Sequence, residues 1–392
     1  MRIGIDARCL THPQPGGFKT YTTNLVGALG DVDHENEYVI YVDRRPSDPG
    51  ALPAHPNFTY KTVAGTLPGV GMALREQVLL RRQVAVDRLD LVHFLCNTAT
   101  VGLRTPHVVT LHDAIQLTPT AARGRQPSRA APWGRLQAAY SRYVIRQAAR
   151  WASRLITVSR HERDAIRAVL DIARAPVLVV YLAPALVFTA AHAHAVMSGA
   201  PPTGLPPGVH PPYMLGVGYE PRKNIELLID IFAGLAGELC DLQLVVVAAS
   251  GVRQRALQAR LSAKGLGPRG VILGALPTVC LARLYRHAEV FVFPSEREGF
   301  GLPPLEAMAS GIPTIAMRAS AVPEVVGDGA LLVDGAAVEA WVSAVRGVLS
   351  NPSVRDGVVQ RGLARAAMFS WTRCAQETCA VYRAAYADGS RS

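Results

Sequence analysis

Two glutamates lie eight positions apart, Glu298 and Glu306, on either side of a glycine- and proline-containing turn with the sequence EGFGLPPLE. The apolar run 290–293 predicts a buried strand ending at Pro294, and the paired prolines supply the backbone angle preferred at a helix start. A helix that begins there and ends at Gly311 presents backbone N–H groups to an anion. Both carboxylates can then face one crevice and accept hydrogen bonds from sugar or ribose hydroxyls. A turn with two solvated glutamates is the alternative interpretation.

A second candidate site is the cation pair Arg222 and Lys223, which follows a strand-like run ending near Gly218. Helical spacing resumes directly after it, with one apolar face formed by Ile225, Leu228, Ile229 and Phe232. A lysine is a compact charge and an arginine is a planar fork, so the two together can neutralise a diphosphate. A surface Arg–Lys pair usually has no function. Its position at the carboxyl end of a predicted strand favours diphosphate binding.

Short apolar strands alternate with helical segments in both halves of the chain, which is typical of parallel βαβ units. Strands are predicted at 3–5, 38–42, 91–94, 107–110 and 155–158, and again at 214–217, 242–247, 271–273, 290–293, 314–316 and 330–333. The aperiodic stretch 190–212 between the two series is the predicted linker. The length of 392 residues also favours two domains. We therefore expect an α/β protein with two doubly wound Rossmann-like domains facing each other across a cleft, with ligands at the carboxyl ends of the strands.

Composition excludes several classes of protein. No apolar run approaches the roughly 20 residues of a membrane-crossing helix, and a content of 49% hydrophobic and 18% charged residues forms a core instead of a disordered chain. The six cysteines include no CxxC pair and are interpreted as small buried apolar residues in a reducing compartment. The first residues lack the apolar stretch of a secretory signal. We expect a cytoplasmic protein.

The D-x-D motif Asp31-Val32-Asp33 lies in a polar turn and does not follow an apolar strand. We interpret it as a solvated loop, so the sequence predicts no metal site.

Together, these segments resemble the retaining glycosyltransferases of family 4, which have the two-domain GT-B fold and use nucleotide-diphosphate sugars. The resemblance extends over nearly the whole chain. Its further components are Pro15-Gly16-Gly17 before a predicted helix at 20–29, Thr110-Leu111-His112-Asp113, Ile156-Thr157-Val158-Ser159, Val322-Pro323-Glu324 and Phe369-Ser370-Trp371. The implied organisation is an acceptor-side amino-terminal domain at 1–189, a linker at 190–212, a nucleotide-sugar-binding domain at 213–370, and a last helix at 371–392 that crosses back to the first domain.

The resemblance also implies roles for the matching residues. Arg222 and Lys223 would hold the donor diphosphate, and Glu306 would bind the ribose. Glu298 and His112 would contact the transferred sugar, which makes Glu298, Lys223, Arg222 and His112 the implied catalytic set. Backbone contacts to the donor are expected from Gly16, Gly17, Gly299, Phe300, Gly301 and Leu302. Many relatives have an additional arginine where this chain has Val217 and Gly218, so more of the leaving-group charge would fall on the remaining cation pair.

The implied activity is metal-independent, retaining transfer of a hexose from a nucleotide-diphosphate sugar to a saccharide or lipid-linked saccharide, without a cofactor. GDP-mannose is the favoured donor, with UDP-sugars next. Front-face departure and attack need no covalent intermediate, so no nucleophile is assigned. A nucleotide-sugar epimerase of the same fold is the main alternative. Nucleic-acid binding is a weaker one, because a net charge of +11 is not accompanied by a recognisable nucleic-acid-binding module. An oxidoreductase is disfavoured, because no G-x-G-x-x-G follows the first strand.

Residues 114–160 contain nine arginines and no acidic residue. On a helical wheel, one stripe holds Trp133, Leu136, Tyr140, Tyr143, Val144 and Trp151, and an adjoining face holds Arg135, Arg142, Arg146 and Arg150. A basic amphipathic helix of this kind can bind an anionic membrane surface, here the inner face of the cell membrane. The alternative is an ordinary helix whose apolar stripe packs on the first domain's sheet.

Overall fold

The fold is that of a computed structural model, which describes residues 1–12, 16–46, 50, 52–65, 71–117, 132–170, 172, 175–189, 204–218, 220–248 and 251–389. These residues divide into two compact units: the first runs to Leu182 and resumes at Ser370, and the second runs from Ala183 to Phe369. Of the predicted linker 190–212, residues 190–203 lie outside the described ranges. The first unit ends before the predicted boundary at 189, because the ring of Phe188 packs against Tyr285 of the second unit at 5.5 Å.

Each unit is built on a parallel β-sheet. Within the described residues, the first unit has seven strands in the order β3-β2-β1-β4-β5-β6-β7, namely β1 (Arg2–Asp6), β2 (Glu37–Val42), β3 (Phe58–Thr62), β4 (Leu91–Phe94), β5 (His107–Leu111), β6 (Arg154–Thr157) and β7 (Val177–Val179). The second unit has six in the order β10-β9-β8-β11-β12-β13, namely β8 (Tyr213–Gly218), β9 (Gln243–Ala248), β10 (Gly270–Leu273), β11 (Val290–Phe293), β12 (Thr314–Met317) and β13 (Leu331–Val333). Strand order reverses between β1 and β4 and between β8 and β11, and ligands bind at such switch points in open α/β sheets.

Helices connect the strands and cover the sheets. In chain order they are α1 (Gly17–Val32), α2 (Gly71–Leu74), α3 (Leu80–Asp87), α4 (Pro132–Trp151), α5 (Arg160–Val169), α6 (Ile225–Leu235), α7 (Val252–Ala263), α8 (Thr278–His287), α9 (Leu302–Ala309), α10 (Val322–Val326), α11 (Val338–Ser350), α12 (Pro352–Ala366) and α13 (Trp371–Gly389). A π-helical turn at Arg75–Leu79 joins α2 to α3. Buried aliphatic and aromatic side chains, such as Phe232 and Trp341 in the second unit, fill the space between sheet and helices. No helix of the described ranges is long and apolar enough to cross a membrane.

The last helix, α13, belongs to the first unit and packs against α1. Its Tyr382 hydroxyl forms a 2.7 Å hydrogen bond with Nδ1 of His93 on β4, and Nε2 of the same ring meets the Thr110 hydroxyl at 2.8 Å. Burial lowers the pKa of His93 to about 3, so the ring is neutral. The carboxyl-terminal helix is therefore fixed to the central strands by a buried polar chain as well as by apolar contact.

The interpretation of Asp31-Val32-Asp33 as a solvated loop is wrong for one of its carboxylates. Asp31 and Val32 form the end of α1, whereas Asp33 is buried directly after it. The Asp33 carboxylate accepts hydrogen bonds from the Tyr38 hydroxyl at 2.5 Å and the Asn36 amide at 2.6 Å. These donors hold the helix end against β2, which gives the motif a structural role.

Candidate active site

The cation pair lies on a short turn at the carboxyl end of β8. After Gly218 the chain forms a 3-10 turn at Pro221–Lys223, and Asn224 takes a left-handed conformation, with φ of 52°, before α6 begins. A Cβ atom on Gly218 would lie 2.4 Å from the Cβ of Lys223. A side chain at 218 would therefore displace Lys223, which explains why this chain has glycine there.

The two glutamates lie on the segment that follows β11. Gly301, with φ of 104°, precedes the first residue of α9, and Pro303 and Pro304 occupy its first turn. That left-handed backbone favours glycine. Proline has no N–H group, so the donors that this helix start can offer an anion are restricted to the residues before the prolines. The helix continues to Ala309, and Gly311 follows with φ of 76°.

Hydrogen bonds hold the turn after β8 and the loop after β11 together. The backbone N–H of Glu296 donates to the carbonyl of Arg222 at 3.0 Å, and Nε of Arg222 donates to the carbonyl of Arg297 at 3.0 Å. The Asn224 amide reaches the Glu296 carboxylate at 3.3 Å. Since β8 and β11 are neighbouring parallel strands, the segments after them meet at the switch point of the sheet.

Lys223 and Glu298 form a buried ion pair at this junction. Nζ of Lys223 donates to Oε1 of Glu298 at 2.6 Å, and the Ser295 hydroxyl donates to the same oxygen. The ammonium group also lies 5.2 Å from the ring centroid of Phe293, at the end of β11. Lys223 is only 9% exposed and Glu298 only 6%. The alternative of two solvated glutamates is therefore wrong.

Glu306 is the second buried carboxyl group of the site. It lies on α9, and its Oε2 accepts a 3.4 Å hydrogen bond from the Tyr285 hydroxyl. Burial raises the pKa of Glu306 to about 7, although the Tyr285 hydrogen bond and the charge of Lys223 both act in the opposite direction. A carboxyl group with this pKa changes charge near neutral pH, and its ionised form needs a further hydrogen-bond donor.

A second group of predicted residues lies at the carboxyl edge of the first unit's sheet. Gly16 and Gly17 are exposed at the start of α1. The next residue, Phe18, has its ring centroid 4.9 Å from that of His112, and Tyr21 contacts the same imidazole at 4.6 Å. The fold thus brings the glycine loop and the histidine together, although 94 positions separate Phe18 from His112 in the chain.

The residues after β4 hold His112 in place. Its Nε2 donates to the carbonyl of Leu95 at 2.8 Å, and its backbone N–H donates to Oδ1 of Asn97 at 2.6 Å. Burial lowers the pKa of His112 to about 4. The imidazole is therefore neutral at physiological pH, with its proton on Nε2 and an acceptor lone pair on Nδ1.

The structure places every predicted site residue at one of these two sheet edges. In the second unit it brings together Arg222, Lys223, Glu298, Glu306 and the segment from Gly299 to Leu302, and in the first unit Gly16, Gly17 and His112. Sequence reasoning missed the partners that hold them, which are Ser295, Phe293, Tyr285, Leu95 and Asn97. Asn97 and Ser295 could have been noticed as polar residues just after apolar strands. Across the described part of the chain, no cluster of three or more His, Cys, Asp or Glu side chains could hold a metal ion.

The helix α4 turns only part of its predicted apolar stripe to the core. Its buried side chains are Val144, Ile145, Ala148 and Ala149. Of the predicted apolar stripe, Leu136, Tyr143 and Trp151 are instead more than half exposed, at 59%, 54% and 54%. The alternative in which this stripe packs on the sheet is wrong for these three residues. Ile145, Ala148 and Ala149 instead join the apolar core cluster that contains side chains of β5 and β6. The side chain of Trp133 and the arginines 123, 125 and 129 lie outside what the structure describes.

The chain matches two families along most of its length. Residues 15–183 match glycosyltransferase family 4, and residues 211–365 match glycosyl transferases group 1. The predicted resemblance to family 4 glycosyltransferases is thereby confirmed. The two matches correspond to the two units of the structure, and each contains one of the two groups of predicted site residues.

In the alignments with two curated relatives, the chain spans less than half the length of each relative. The chain is 36% identical over 174 residues to O-antigen chain mannosyltransferase B of Escherichia coli, which is 44% of this chain and 45% of that protein. It is 31% identical over 176 residues to a D-inositol 3-phosphate glycosyltransferase of Segniliparus rotundus, which is 44% of this chain and 39% of that protein.

A solved structure shows the fold of the whole chain. Sucrose-phosphate synthase from Thermosynechococcus elongatus superimposes with a TM-score of 0.74 at 20% identity, and the match covers 99% of both chains. The predicted GT-B fold is thereby confirmed.

Proposed function

We propose that this protein is a retaining glycosyltransferase that moves a hexose from a nucleotide-diphosphate sugar to a saccharide or lipid-linked acceptor. The observation that carries the proposal is the buried Lys223–Glu298 pair, with Glu306 nearby on α9, at the switch point of the second unit's sheet. Burying an ion pair costs desolvation free energy that a purely structural role seldom recovers. A cation next to two carboxylates suits a ligand with one anionic part and several hydroxyl groups.

In this proposal the cationic residues bind the diphosphate and the carboxylates bind hydroxyl groups. Cleavage of the sugar–phosphate bond develops negative charge on the leaving diphosphate, and Lys223 and Arg222 stabilise it together with backbone N–H groups around Gly299 to Leu302. Glu298 holds the Lys223 ammonium in position and accepts hydrogen bonds from sugar hydroxyls. Ionised Glu306 accepts hydrogen bonds from ribose hydroxyls. His112, neutral and with Nδ1 as an acceptor, contacts the transferred sugar. No residue is assigned as a nucleophile, consistent with departure and attack on one face of the ring.

GDP-mannose is the donor we favour, because the named O-antigen relative is a mannosyltransferase. UDP-sugars are the next choice. A ligand that binds only the folded protein raises its melting temperature, so a thermal screen of nucleotide sugars against the full chain identifies the donor.

We expect free nucleoside diphosphate to appear rapidly only when both donor and acceptor are present, and excess EDTA to leave its rate unchanged. Protein cations neutralise the diphosphate in this proposal, so no divalent ion is required. The measurement is the coupled release of GDP from GDP-mannose, with mannosyl saccharides or polyprenyl-linked saccharides as acceptors. Acceptor-independent conversion of the donor would instead identify an epimerase. A rate that falls to background with EDTA and returns with Mg²⁺ would contradict the metal-independent mechanism.

The exposed face of α4 supports a lipid-linked acceptor. Leu136, Tyr143 and Trp151 are each more than half exposed. The arginines Arg135, Arg146 and Arg150 are also exposed, and the guanidinium of Arg150 lies 5.6 Å from the Trp151 ring centroid. The helix contains no acidic residue between Pro132 and Trp151. Exposed aromatic and aliphatic side chains among arginines are characteristic of helices that lie in a membrane interface.

We expect the full chain to sediment with vesicles in proportion to their phosphatidylglycerol content, and to be released by salt. Replacing Arg142, Arg146 and Arg150 with glutamine should weaken partitioning by about a hundredfold, at roughly 1 kcal/mol per cation. The matched control replaces Arg255, Arg260 and Arg346, three exposed arginines of the second unit, and should retain binding. Equal losses in the two triple variants, or binding that ignores lipid charge, would show that α4 is not the membrane contact.

A further inference from the structure

Two cysteines that are distant in sequence have their sulfur atoms in contact in the first unit. Sγ of Cys9 lies 3.2 Å from Sγ of Cys96, and both are free thiols. Cys9 lies on the 3-10 turn Arg8–Leu10 after β1, and Cys96 follows β4 by two residues. Because β1 and β4 are neighbouring strands, the two thiols meet at the switch point of this sheet. The interpretation of the cysteines as independent apolar residues did not foresee this pair.

The two thiols differ in their surroundings. Cys9 is partly exposed, whereas Cys96 is buried. The hydrogen bond between the two thiols and the nearby Arg8 guanidinium lower the pKa of Cys9, while the same hydrogen bond and burial raise the pKa of Cys96. Cys9 is therefore the thiol that an external reagent meets first, and Cys96 is the thiol placed to resolve the product.

We propose that Cys9 and Cys96 form a reversible disulfide when the protein meets a low-molecular-weight disulfide such as oxidised glutathione. The Cys9 thiolate attacks the glutathione disulfide, forming a mixed disulfide and releasing one glutathione thiolate. The Cys96 thiolate then attacks the Cys9 sulfur, and the second glutathione leaves as a thiolate. The protein loses two electrons and its two thiol protons, and the oxidised glutathione becomes two reduced molecules.

The geometry needs only a small movement. A disulfide bond is about 2.0 Å long, so the sulfurs must approach by roughly 1 Å. Cys9 and Cys96 both lie in segments after the strands and outside the paired residues of β1 and β4. The sheet can therefore remain intact while the turn after β1 and the loop after β4 move together.

This bond would act directly on the residues that hold His112. Cys96 lies between Leu95 and Asn97, and both of these residues bind His112. The Leu95 carbonyl accepts a hydrogen bond from the imidazole, and the Asn97 side chain accepts one from the backbone N–H of His112. Its sulfur also lies 3.8 Å from the Thr22 hydroxyl on α1, the helix that begins at the glycine loop. Pulling Cys96 towards Cys9 displaces both supports of His112. The expected loss of transfer rests on the proposed function, whereas formation of the bond does not.

The first experiment maps the bond without any activity measurement. The full chain is incubated with oxidised glutathione, alkylated, digested and analysed by mass spectrometry. We expect a peptide cross-linked through Cys9 and Cys96, which dithiothreitol removes. Exposed Cys240 serves as the internal control, because it should carry a mixed disulfide under the same conditions. Modification of Cys240 without the Cys9–Cys96 cross-link would overturn the proposal.

The second experiment measures the consequence. Oxidised wild-type protein should lose transfer by about tenfold or more, as expected when a reacting group is displaced, and dithiothreitol should restore it. Cys9→Ser and Cys96→Ala each remove one partner and should make the rate insensitive to oxidised glutathione, while Cys240→Ser should behave as wild type. A cross-linked protein with an unchanged rate would overturn the link to His112. If no donor is turned over in the reduced protein, the proposed function fails, yet the mapping still decides the disulfide.

Discussion

Lys223→Ala is expected to lower transfer by at least about a hundredfold, the usual effect of removing one preorganised group that stabilises charge in a transition state. Lys223 is the buried cation of the second unit's site, fixed by Glu298 at 2.6 Å and by the face of Phe293. Its charge cannot be replaced by water at a position that is 9% exposed. The measurement is kcat and KM for the donor identified by the thermal screen.

Loss of stability must be separated from loss of chemistry in this variant. Without Lys223, the Glu298 carboxylate remains buried with the Ser295 hydroxyl as its donor. Breaking a buried ion pair in this way costs about 3 kcal/mol of folding free energy. The double variant Lys223→Ala with Glu298→Gln removes that unpaired charge, so its melting temperature should recover while transfer stays low. Lys264→Ala is the matched control, because Lys264 is a half-exposed lysine paired with Asp230 at 3.1 Å, and exposed pairs contribute little.

Near-wild-type turnover in a folded Lys223→Ala protein would remove the diphosphate role from this residue. Recovery of both stability and transfer in the double variant would show that Lys223 serves only to neutralise Glu298.

The alternation of strands and helices could be predicted because the central strands consist mainly of apolar residues, the pattern expected of strands buried on both faces. All eleven predicted strands occur within a residue or two of their predicted bounds. The two strands that were not predicted, β3 and β7, lie at opposite edges of the first sheet. β3 is only partly buried and contains Thr59, Lys61 and Thr62, and β7 has three residues. Edge strands need fewer apolar residues, so their pattern is weaker.

The site could be predicted in its parts but not in its contacts. The spacing of Glu298 and Glu306 indicated two carboxyl groups near one turn, yet neither their burial nor the pairing of Glu298 with Lys223 follows from local sequence. That pairing joins positions 75 apart and exists because β8 and β11 are neighbours in the sheet. The contact between Cys9 and Cys96 depends in the same way on β1 and β4. Strand order is a tertiary property, so the spacing of residues in the sequence does not predict contacts across a switch point.

The face that α4 turns to the core was only partly predicted, for a related reason. A helical wheel finds the most apolar stripe, whereas packing selects side chains that fit the available space. Ala148 and Ala149 are buried and Tyr143 and Trp151 are not. The difference leaves large apolar side chains on the surface, where we propose that they contact a membrane.

Glu306→Gln is expected to stabilise the free protein above about pH 7 and to have little effect near pH 5. Burial raises the pKa of Glu306 from 4.5 to about 7, so the native state favours the protonated form. The stability that this group contributes is fully present below its unfolded pKa and is lost as the pH rises through the folded pKa. Above that pH the ionised carboxylate costs up to about 3 kcal/mol, which glutamine removes. Urea unfolding at several pH values measures the difference, with exposed Glu339→Gln as a control that should show no such trend.

The same substitution should abolish most transfer, because the proposed ribose contact requires the ionised carboxylate as a hydrogen-bond acceptor. In the wild type, donor affinity should rise by about tenfold between pH 6 and pH 8 as Glu306 ionises, the change expected for binding to one form of a group with a pKa of about 7. Glu306→Gln should bind weakly and without this dependence. Calorimetry with GDP-mannose is the suitable measurement, because its diphosphate is esterified at both ends and keeps its charge throughout this range, unlike free GDP. Wild-type affinity that falls with rising pH, or a glutamine variant that retains both affinity and turnover, would contradict the assignment of Glu306 to the ribose.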